Sequence, residues 1–461
     1  MRKFWIFILS AIMLITGCSS EKPDGKDYLF TVSVVGNPNS LDPQSAENAS
    51  AYDVVANIFT GLFTYDEQGE LCKGVAESYE ISADELEYTF TLGENFWGGK
   101  NIEEPVALIA DDFVFAFSRK SIEYVDEVIA VDDKTVKYVL KEKTPDFLTI
   151  LTLPVAMPCS RLLFENCKGR YGLDEDSIPS NGSFFVEKWQ YDPYGFDNVI
   201  YTKRNNSNKD ISPSRLNYRI LEDYDSTLNR FKEDKELSIV KTLKPIEDYE
   251  YFSITDKTIG LVAKDEILGK LLAYATVREG ENVAYGIIPP AVKFKSKSYR
   301  ELVNEKSIDV YDSIKAENLK STYEVASDIE ILTCSDIVDT SMLYVYKNQY
   351  EEILDCNISF DVQPFDEYSR KLQAEEYTLC IKLISAEYNS PYAFLSQSED
   401  FTPTNNIDDY AQKEKEIAQK GEFIPLYYSS VYFNYKKNLD GFVYIPYTQQ
   451  LIFRYARNYT E

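Results

Sequence analysis

Apolar and polar positions change period repeatedly along this chain, and each change marks an element. Residues 28–35 alternate and are rich in β-branched side chains, which predicts a strand. Over 51–62, Val54, Val55, Ile58, Phe59 and Leu62 recur at helical spacing. Residues 88–92 alternate again. Ala110-Asp111-Asp112 opens a second helix, with acids in its first turn and Phe113, Val114 and Phe117 on its apolar face. Residues 128–131 and 135–140 flank Asp132-Asp133-Lys134 and predict a hairpin. The stretch 146–153 reads as an apolar helix, 184–189 with 198–203 as a strand pair, and 267–275 as a buried helix. Farther on, 330–333, 358–363 and 379–384 predict strands with helical segments between them. That βαβ alternation implies a partly parallel sheet. Residues 424–428 and 430–435 form two late strands.

The first residues follow another logic. Arg2 and Lys3 precede an apolar run over 4–15, shorter than the roughly 20 residues a membrane span needs. A basic flank, a short apolar core and small residues predict a secretory signal over 1–17. Ile15-Thr16-Gly17-Cys18 fits a lipobox, so Cys18 is expected to be acylated and to become the new N-terminus. Residues 18–26 then form a polar tether. Two acyl chains hold a protein stably at a membrane surface without a transmembrane helix.

Composition narrows the chemistry. The 461 residues are long enough for two or three domains. At 44% hydrophobic and 14% aromatic, the chain has a packed core rather than a solvated, disordered state. Tyrosines outnumber phenylalanines, 36 to 26, and tyrosine suits both cores and ligand clefts. A net charge of −28 argues against nucleic acid, which needs a basic stripe, and against docking on anionic lipid. The chain has no histidine. That removes Ser-His-Asp and Cys-His catalysis, histidine bases and His-ligated zinc. With Cys18 assigned to lipid, Cys72, Cys159, Cys167, Cys334, Cys356 and Cys380 remain, none in a C-x-x-C pair. Export permits disulfides, Cys159 with Cys167 included, but sequence does not choose among the pairings. No cofactor or metal is expected.

A series of short motifs then falls in order. Ser40-Leu41-Asp42-Pro43 is followed by Asn57-Ile58-Phe59-Thr60-Gly61-Leu62, Lys73-Gly74-Val75-Ala76-Glu77-Ser78-Tyr79 and Tyr88-Thr89-Phe90-Thr91-Leu92. Trp97, Gly99, Val106, Ala107 and Ala110-Asp111-Asp112-Phe113-Val114 come next, then Val131-Asp132-Asp133-Lys134-Thr135-Val136, Asn181-Gly182-Ser183-Phe184 and Ile424-Pro425-Leu426-Tyr427. In this order they resemble the family 5 extracellular solute-binding proteins, the oligopeptide- and dipeptide-binding components of ABC importers. Most of these residues have structural readings. Leu41-Asp42-Pro43 fixes a turn after a strand. Gly61 and Gly99 sit where a side chain would clash or φ is positive. Trp97 and Phe113 pack in the core.

The resemblance implies an α/β, bilobal periplasmic-binding-protein-like fold of type II, cluster C-like, with an extra small domain in the first lobe. The expected divisions are 27–61, 176–255 and 424–461 for lobe I, 62–175 for its extra domain and 256–423 for lobe II. It also implies site residues. Ala386-Glu387-Tyr388-Asn389-Ser390-Pro391 resembles the family's Ala-Asp-Tyr segment, whose aspartate pairs with a ligand's α-amino group. Glu387 keeps that charge, and Ser385, Tyr388 and Asn389 flank it. Glu47 lies four residues after Pro43, where some relatives place an acid facing the ligand. The chain departs from peptide-binding relatives in the short passage after Arg119 and Lys120. It also lacks a tryptophan in Leu383-Ile384-Ser385, and no arginine is assigned by motif to a ligand carboxylate. The expected protein is a monomeric, non-enzymatic lipoprotein on the outer face of the cytoplasmic membrane. Its partners are a peptide or other small solute, ABC importer permease subunits and the membrane through Cys18. An oligosaccharide-binding protein of the same fold and a peptide sensor are the alternatives.

Overall fold

The computed structural model describes residues 28–192, 198–205, 213–234, 236–242, 244–280, 282–335, 337–386, 388–397, 401–445 and 450–459. The signal, Cys18 and the tether lie outside them, as does Glu387.

One ten-stranded mixed sheet organises the chain. Its order is Phe184–Gln190, Asn198–Arg204, Arg215–Leu221, Leu29–Val35, Ile239–Thr242, Ile424–Tyr435, Glu250–Ala263, Leu379–Ile384, Asp328–Cys334 and Asn357–Gln363. The first strand of the chain, Leu29–Val35, is parallel to Arg215–Leu221 and to Ile239–Thr242. Asp328–Cys334 is parallel to both Asn357–Gln363 and Leu379–Ile384, as the βαβ alternation predicted. A parallel pair needs a crossover, and helices such as Tyr344–Leu354 and Phe365–Gln373 supply it.

Two long strands join the halves of this sheet. Glu250–Ala263 and Ile424–Tyr435 run antiparallel along nearly their whole length. Near one end, 432–435 pair with 239–242; near the other, 258–263 pair with 379–384. Sequence predicted two strands over 424–435, and the structure has one. The ladder runs through Ser429, and its irregularities fall between Thr255 and Lys257 and between Ile259 and Gly260. Bulges leave a strand continuous while bending it and sharpening its twist.

A separate four-stranded sheet holds Ala76–Ile81, Glu87–Leu92, Thr135–Leu140 and Val125–Asp132. Its last two strands form the predicted hairpin, with the Asp132 carboxylate accepting from Lys134 N at 2.8 Å. The stretch predicted helical over 146–153 is shorter, only Phe147–Ile150, because Pro154 opens a separate 3₁₀ turn.

The family motifs are seams. Asp42 is buried, and its carboxylate accepts from Gln44 N, Ser45 Oγ and both terminal nitrogens of Arg119. Asn181 exchanges two hydrogen bonds with the backbone of Thr60, donating at 2.8 Å and accepting at 3.1 Å. Trp97 and Phe113 are in the core as expected, and the Trp97 indole donates to Asp112 at 2.9 Å. Burial pushes the Asp112 carboxyl up to about 6 despite that bond. A Cβ at Gly61 would lie 2.4 Å from the Leu151 carbonyl oxygen, so glycine is required there. Gly99 does not need glycine for that reason: its nearest neighbour would be 3.4 Å away and its φ is not positive. The tight position is the adjacent Gly98, facing the Asn205 amide at 2.8 Å.

Two main cores result. One gathers Phe30, Val54, Val55, Ile58, Trp97, Phe113 and Phe184; the other gathers Leu261, Leu271, Leu272, Ile331, Leu379 and Ile424. Among the described residues, Cys72, Cys159, Cys167, Cys334, Cys356 and Cys380 form no disulfide with one another, and Cys334 and Cys380 share one small cluster.

Candidate binding cleft

Parallel strands in an open α/β sheet place their carboxyl ends along one rim, and ligands bind in the crevice beyond that rim. Here the carboxyl ends of Ile239–Thr242, Asp328–Cys334 and Leu379–Ile384 open onto a cleft of about 800 Å³. That volume lies within the range of small-molecule sites, about 300–1,000 Å³. Thr242, Lys244 and Ile246 form one wall; Ser335, Ile337 and Leu383 form the other. The floor is the pair of long strands, through Asp256, Lys257, Ser429, Ser430 and Val431. At its edge, Lys244 Nζ reaches Asp339 on the opposite side at 3.5 Å.

The floor is charged because the sheet register makes it so. Lys241 is opposite Phe433, and Lys257 is opposite Ser429. Cross-strand partners share a face, and positions 429 and 433 share one by the period of two. Lys241 and Lys257 therefore stand on the same face, on either side of the Ile424–Tyr435 strand. Burial lowers the Lys241 ammonium from its usual range; Asp53 opposes that shift and Lys257 adds to it. Burial also lowers Lys257, against the attraction of Asp256. Asp256 is itself held from below, accepting from the Tyr444 hydroxyl at 2.5 Å. Under Lys241 a small cavity of about 50 Å³ is lined by Asp53, Tyr218 and Phe433. Burial pushes the Asp53 carboxyl up to about 7, with Lys241 pulling it back.

The residues singled out by sequence are elsewhere or nearby. Glu47 is exposed in the turn before the Ala49–Ile58 helix, its N–H donating to Asn39 at 3.2 Å. Ser385 is exposed just past the strand that carries Leu383, and its carbonyl accepts from Gln397 at 2.8 Å. The Asn389 side chain accepts from Lys293 N at 2.7 Å. Tyr388 is buried beside Tyr124, and burial raises its phenol strongly. None of these four lines the 800 Å³ cleft; Ser385 lies two residues past Leu383, which does. Sequence reasoning missed Lys241, Lys257 and Ser429. A signal existed: Lys241 interrupts the apolar run of Ile239 and Val240 in a central strand, where a charge is rarely placed without a role.

Residues 70–267 match the family model described as bacterial extracellular solute-binding proteins, family 5 middle. The Bacillus subtilis oligopeptide-binding protein OppA is 22% identical, over 96% of this chain and 95% of its own length. Over residues 70–267 the chain is similar to the family 5 extracellular solute-binding proteins. The Lactococcus lactis dipeptide-binding protein is 23% identical over 60% of this chain, and that match spans 57% of the relative. Listeria monocytogenes OppA bound to peptide superposes with a TM-score of 0.68 at 16% identity, covering 94% of this chain and all of that one. The bilobal α/β fold of this family of solute-binding proteins is therefore the fold here. Its members are extracytoplasmic or periplasmic. Among the described residues, no helix is long and apolar enough to cross a membrane, and no group of three metal-ligating side chains occurs.

Proposed function

We propose that this protein captures a peptide in the cleft between its lobes and delivers it to an ABC importer. The observation that carries this reading is the cleft itself, walled by strand ends from both halves and floored by the two strands that connect them. Such a site closes by bending its connecting strands, and closure excludes water from the ligand. Apolar side chains at Ile246, Ile337, Leu383 and Val431 would accept peptide side chains, while Ser335, Ser429 and Ser430 would bond peptide backbone. Nothing in this scheme requires a reaction, so the protein acts as a binder rather than an enzyme. The divisions at 62–175 and 256–423 serve the same reading, the former as the extra domain and the latter as the second lobe. A thermal-shift screen of mixed peptides against oligosaccharides tests it. A ligand that binds only the folded state raises the melting temperature. Peptides should raise it and oligosaccharides should not; the reverse result would replace the peptide with a sugar.

Anchoring belongs to the same proposal and rests on the lipobox at Cys18. The variant Cys18→Ser should leave the membrane fraction when cells are fractionated. Retention equal to the parent would dismiss the anchor.

A further inference from the structure

A buried ion pair in the second lobe of the proposed division is used by neither the cleft nor the sequence motifs. Glu414 stands in the Ile407–Lys420 helix and Arg300 in the short Tyr299–Leu302 helix. The Glu414 side chain is fully buried, and that of Arg300 is 6% exposed. The Glu414 carboxylate accepts from Arg300 Nη1 at 3.1 Å and Nη2 at 2.6 Å, from the Tyr299 hydroxyl at 2.9 Å and from Ile288 N at 2.8 Å. Arg300 Nε donates to the Ile288 carbonyl at 2.7 Å and lies 3.6 Å from Glu305. Both backbone polar groups of Ile288 are therefore gripped by one ion pair. The loop sits directly on it: a Cβ at Gly286 would stand 2.5 Å from a Glu414 carboxylate oxygen and 2.7 Å from Arg300 Nη2. A buried ion pair adds little stability over apolar side chains of the same volume, so its consequence is the geometry it fixes.

From that grip the chain runs as a strap over 286–293. Thr258 Oγ1 donates to the Ile287 carbonyl at 2.9 Å, and Ala291 N donates to the Thr255 carbonyl at 3.0 Å. These bonds tie the strap to the long Glu250–Ala263 strand on either side of Asp256 and Lys257. Ser298 Oγ donates to the Pro290 carbonyl and Tyr299 N to the Val292 carbonyl, each at 2.8 Å, which closes the far side of the loop. Lys293 N then donates to the Asn389 side chain at 2.7 Å, and Lys293 Nζ reaches Glu70 at 2.6 Å. One strap joins the ion pair, a connecting strand, the segment around Asn389 and the small domain.

We propose that Arg300 and Glu414 are positioning residues for ligand capture: by fixing Ile288 they set the strap, which holds Asn389 in place and presents Lys293 to Glu70. The proposal rests on the peptide-capture reading. Neither residue lines the cleft, so both act through the strap rather than on the ligand.

Two substitutions loosen the strap by different routes. Arg300→Lys keeps a charge opposite Glu414 but loses the paired donors and the bond to the Ile288 carbonyl. Gly286→Ala leaves the pair in place and lifts the loop off it. Each is made alone and together with Asn389→Ala or Glu70→Gln. Retention of a random peptide library is quantified by mass spectrometry at low salt, well below every melting temperature. Arg300→Lys and Gly286→Ala should each retain the library about fivefold less, within the range of mutations that act through coupled contacts. Asn389→Ala and Glu70→Gln should weaken the parent and cost little further in either background, because the contact each removes is already loosened. A merely structural role lowers the melting temperature and leaves those effects additive. Full costs of Asn389→Ala and Glu70→Gln in both backgrounds therefore overturn the proposal while peptide capture stands, as does a parent that neither change weakens. Should one of the two loosening variants fail to fold, the other carries the test. Failure of both would mean that the pair holds the lobe together rather than placing a strap, which also overturns the proposal. If the parent retains no peptide, the peptide-capture reading falls and the proposal with it.

Discussion

Asp53 shows what a single buried carboxyl does to this protein. Burial raises its pKa to about 7, and the Lys241 ammonium offsets only part of that. The unfolded chain ionises an aspartate near pH 4, so between about pH 4 and 7 unfolding releases a proton that the folded state keeps. Stability from this group is complete below pH 4, falls as pH rises and is lost above 7. Asp53→Asn removes the dependence. Its stability relative to the parent should climb from pH 4 to pH 8, by an amount on the order of 1–3 kcal/mol after allowing for partial exposure, as read by denaturant titration. A difference that is flat with pH would show that Asp53 is ionised in the folded protein. Glu387 is the other residue with a defined expectation, and it rests on the likeness of Ala386-Glu387-Tyr388 to a ligand-facing segment. We expect Glu387→Gln to weaken a free peptide by roughly 2–5 kcal/mol if the closed site is desolvated. An N-acetylated peptide should bind the parent poorly and lose little more in the variant. Equal binding of free and acetylated peptides to the parent would remove Glu387 as an amine receptor.

Between elements, a close approach in the second half joins two helices through two glycines. Gly421 ends the Ile407–Lys420 helix in the left-handed region, at φ 72°, and a Cβ there would lie 2.2 Å from the Gly269 carbonyl carbon. Gly269 sits within the Glu266–Ala275 helix, and its Cβ would meet the Gly421 oxygen at 2.6 Å. Gly421→Ala incurs overpacking of roughly 1–3 kcal/mol and a left-handed penalty of roughly 1–2. Gly269→Ala incurs only the first, partly offset by better helix propensity. Denaturant titration should therefore rank Gly421→Ala as the more damaging. The double variant should cost less than the two singles added, because either substitution already separates the helices. Strict additivity would mean the contact is not shared.

Across the whole molecule, ion pairs bridge segments far apart in sequence. Lys293 Nζ lies 2.6 Å from Glu70, and Lys244 lies 3.5 Å from Asp339. In each pair both side chains are partly or largely exposed, so each bridge contributes at most about 1 kcal/mol and weakens with salt. Glu70 falls in the small domain and Lys293 in the second lobe of the proposed division, so we expect their pair to favour the closed arrangement. Glu70→Gln should then weaken ligand binding by no more than about fivefold, with the effect vanishing at high salt. Small-angle scattering should show a larger radius of gyration without a bound peptide than with one. An affinity loss that persists at high salt would assign Glu70 a direct ligand contact instead.

How far the sequence reaches depends on whether a feature is local. Strand and helix periods and the hairpin around Asp132-Asp133-Lys134 were readable because neighbouring residues determine them, and the parallel arrangement of 328–384 because strands alternating with helices leave few other connections. Ordered motifs such as Leu41-Asp42-Pro43 and Asn181-Gly182 revealed the family because they are seams that must join the same distant segments. Strand continuity through Ser429 was not readable, since a bulge depends on the partner strand's register. The same holds for the cleft floor. Lys241 and Lys257 lie on consecutive strands, Ile239–Thr242 and Glu250–Ala263, that do not pair with each other, and only pairing with residues 429–433 sets them on one face. Sequence thus determined the architecture and the class of protein. Only the tertiary structure decided which charges meet in the cleft, because that proximity is a product of sheet order and register rather than of any local pattern.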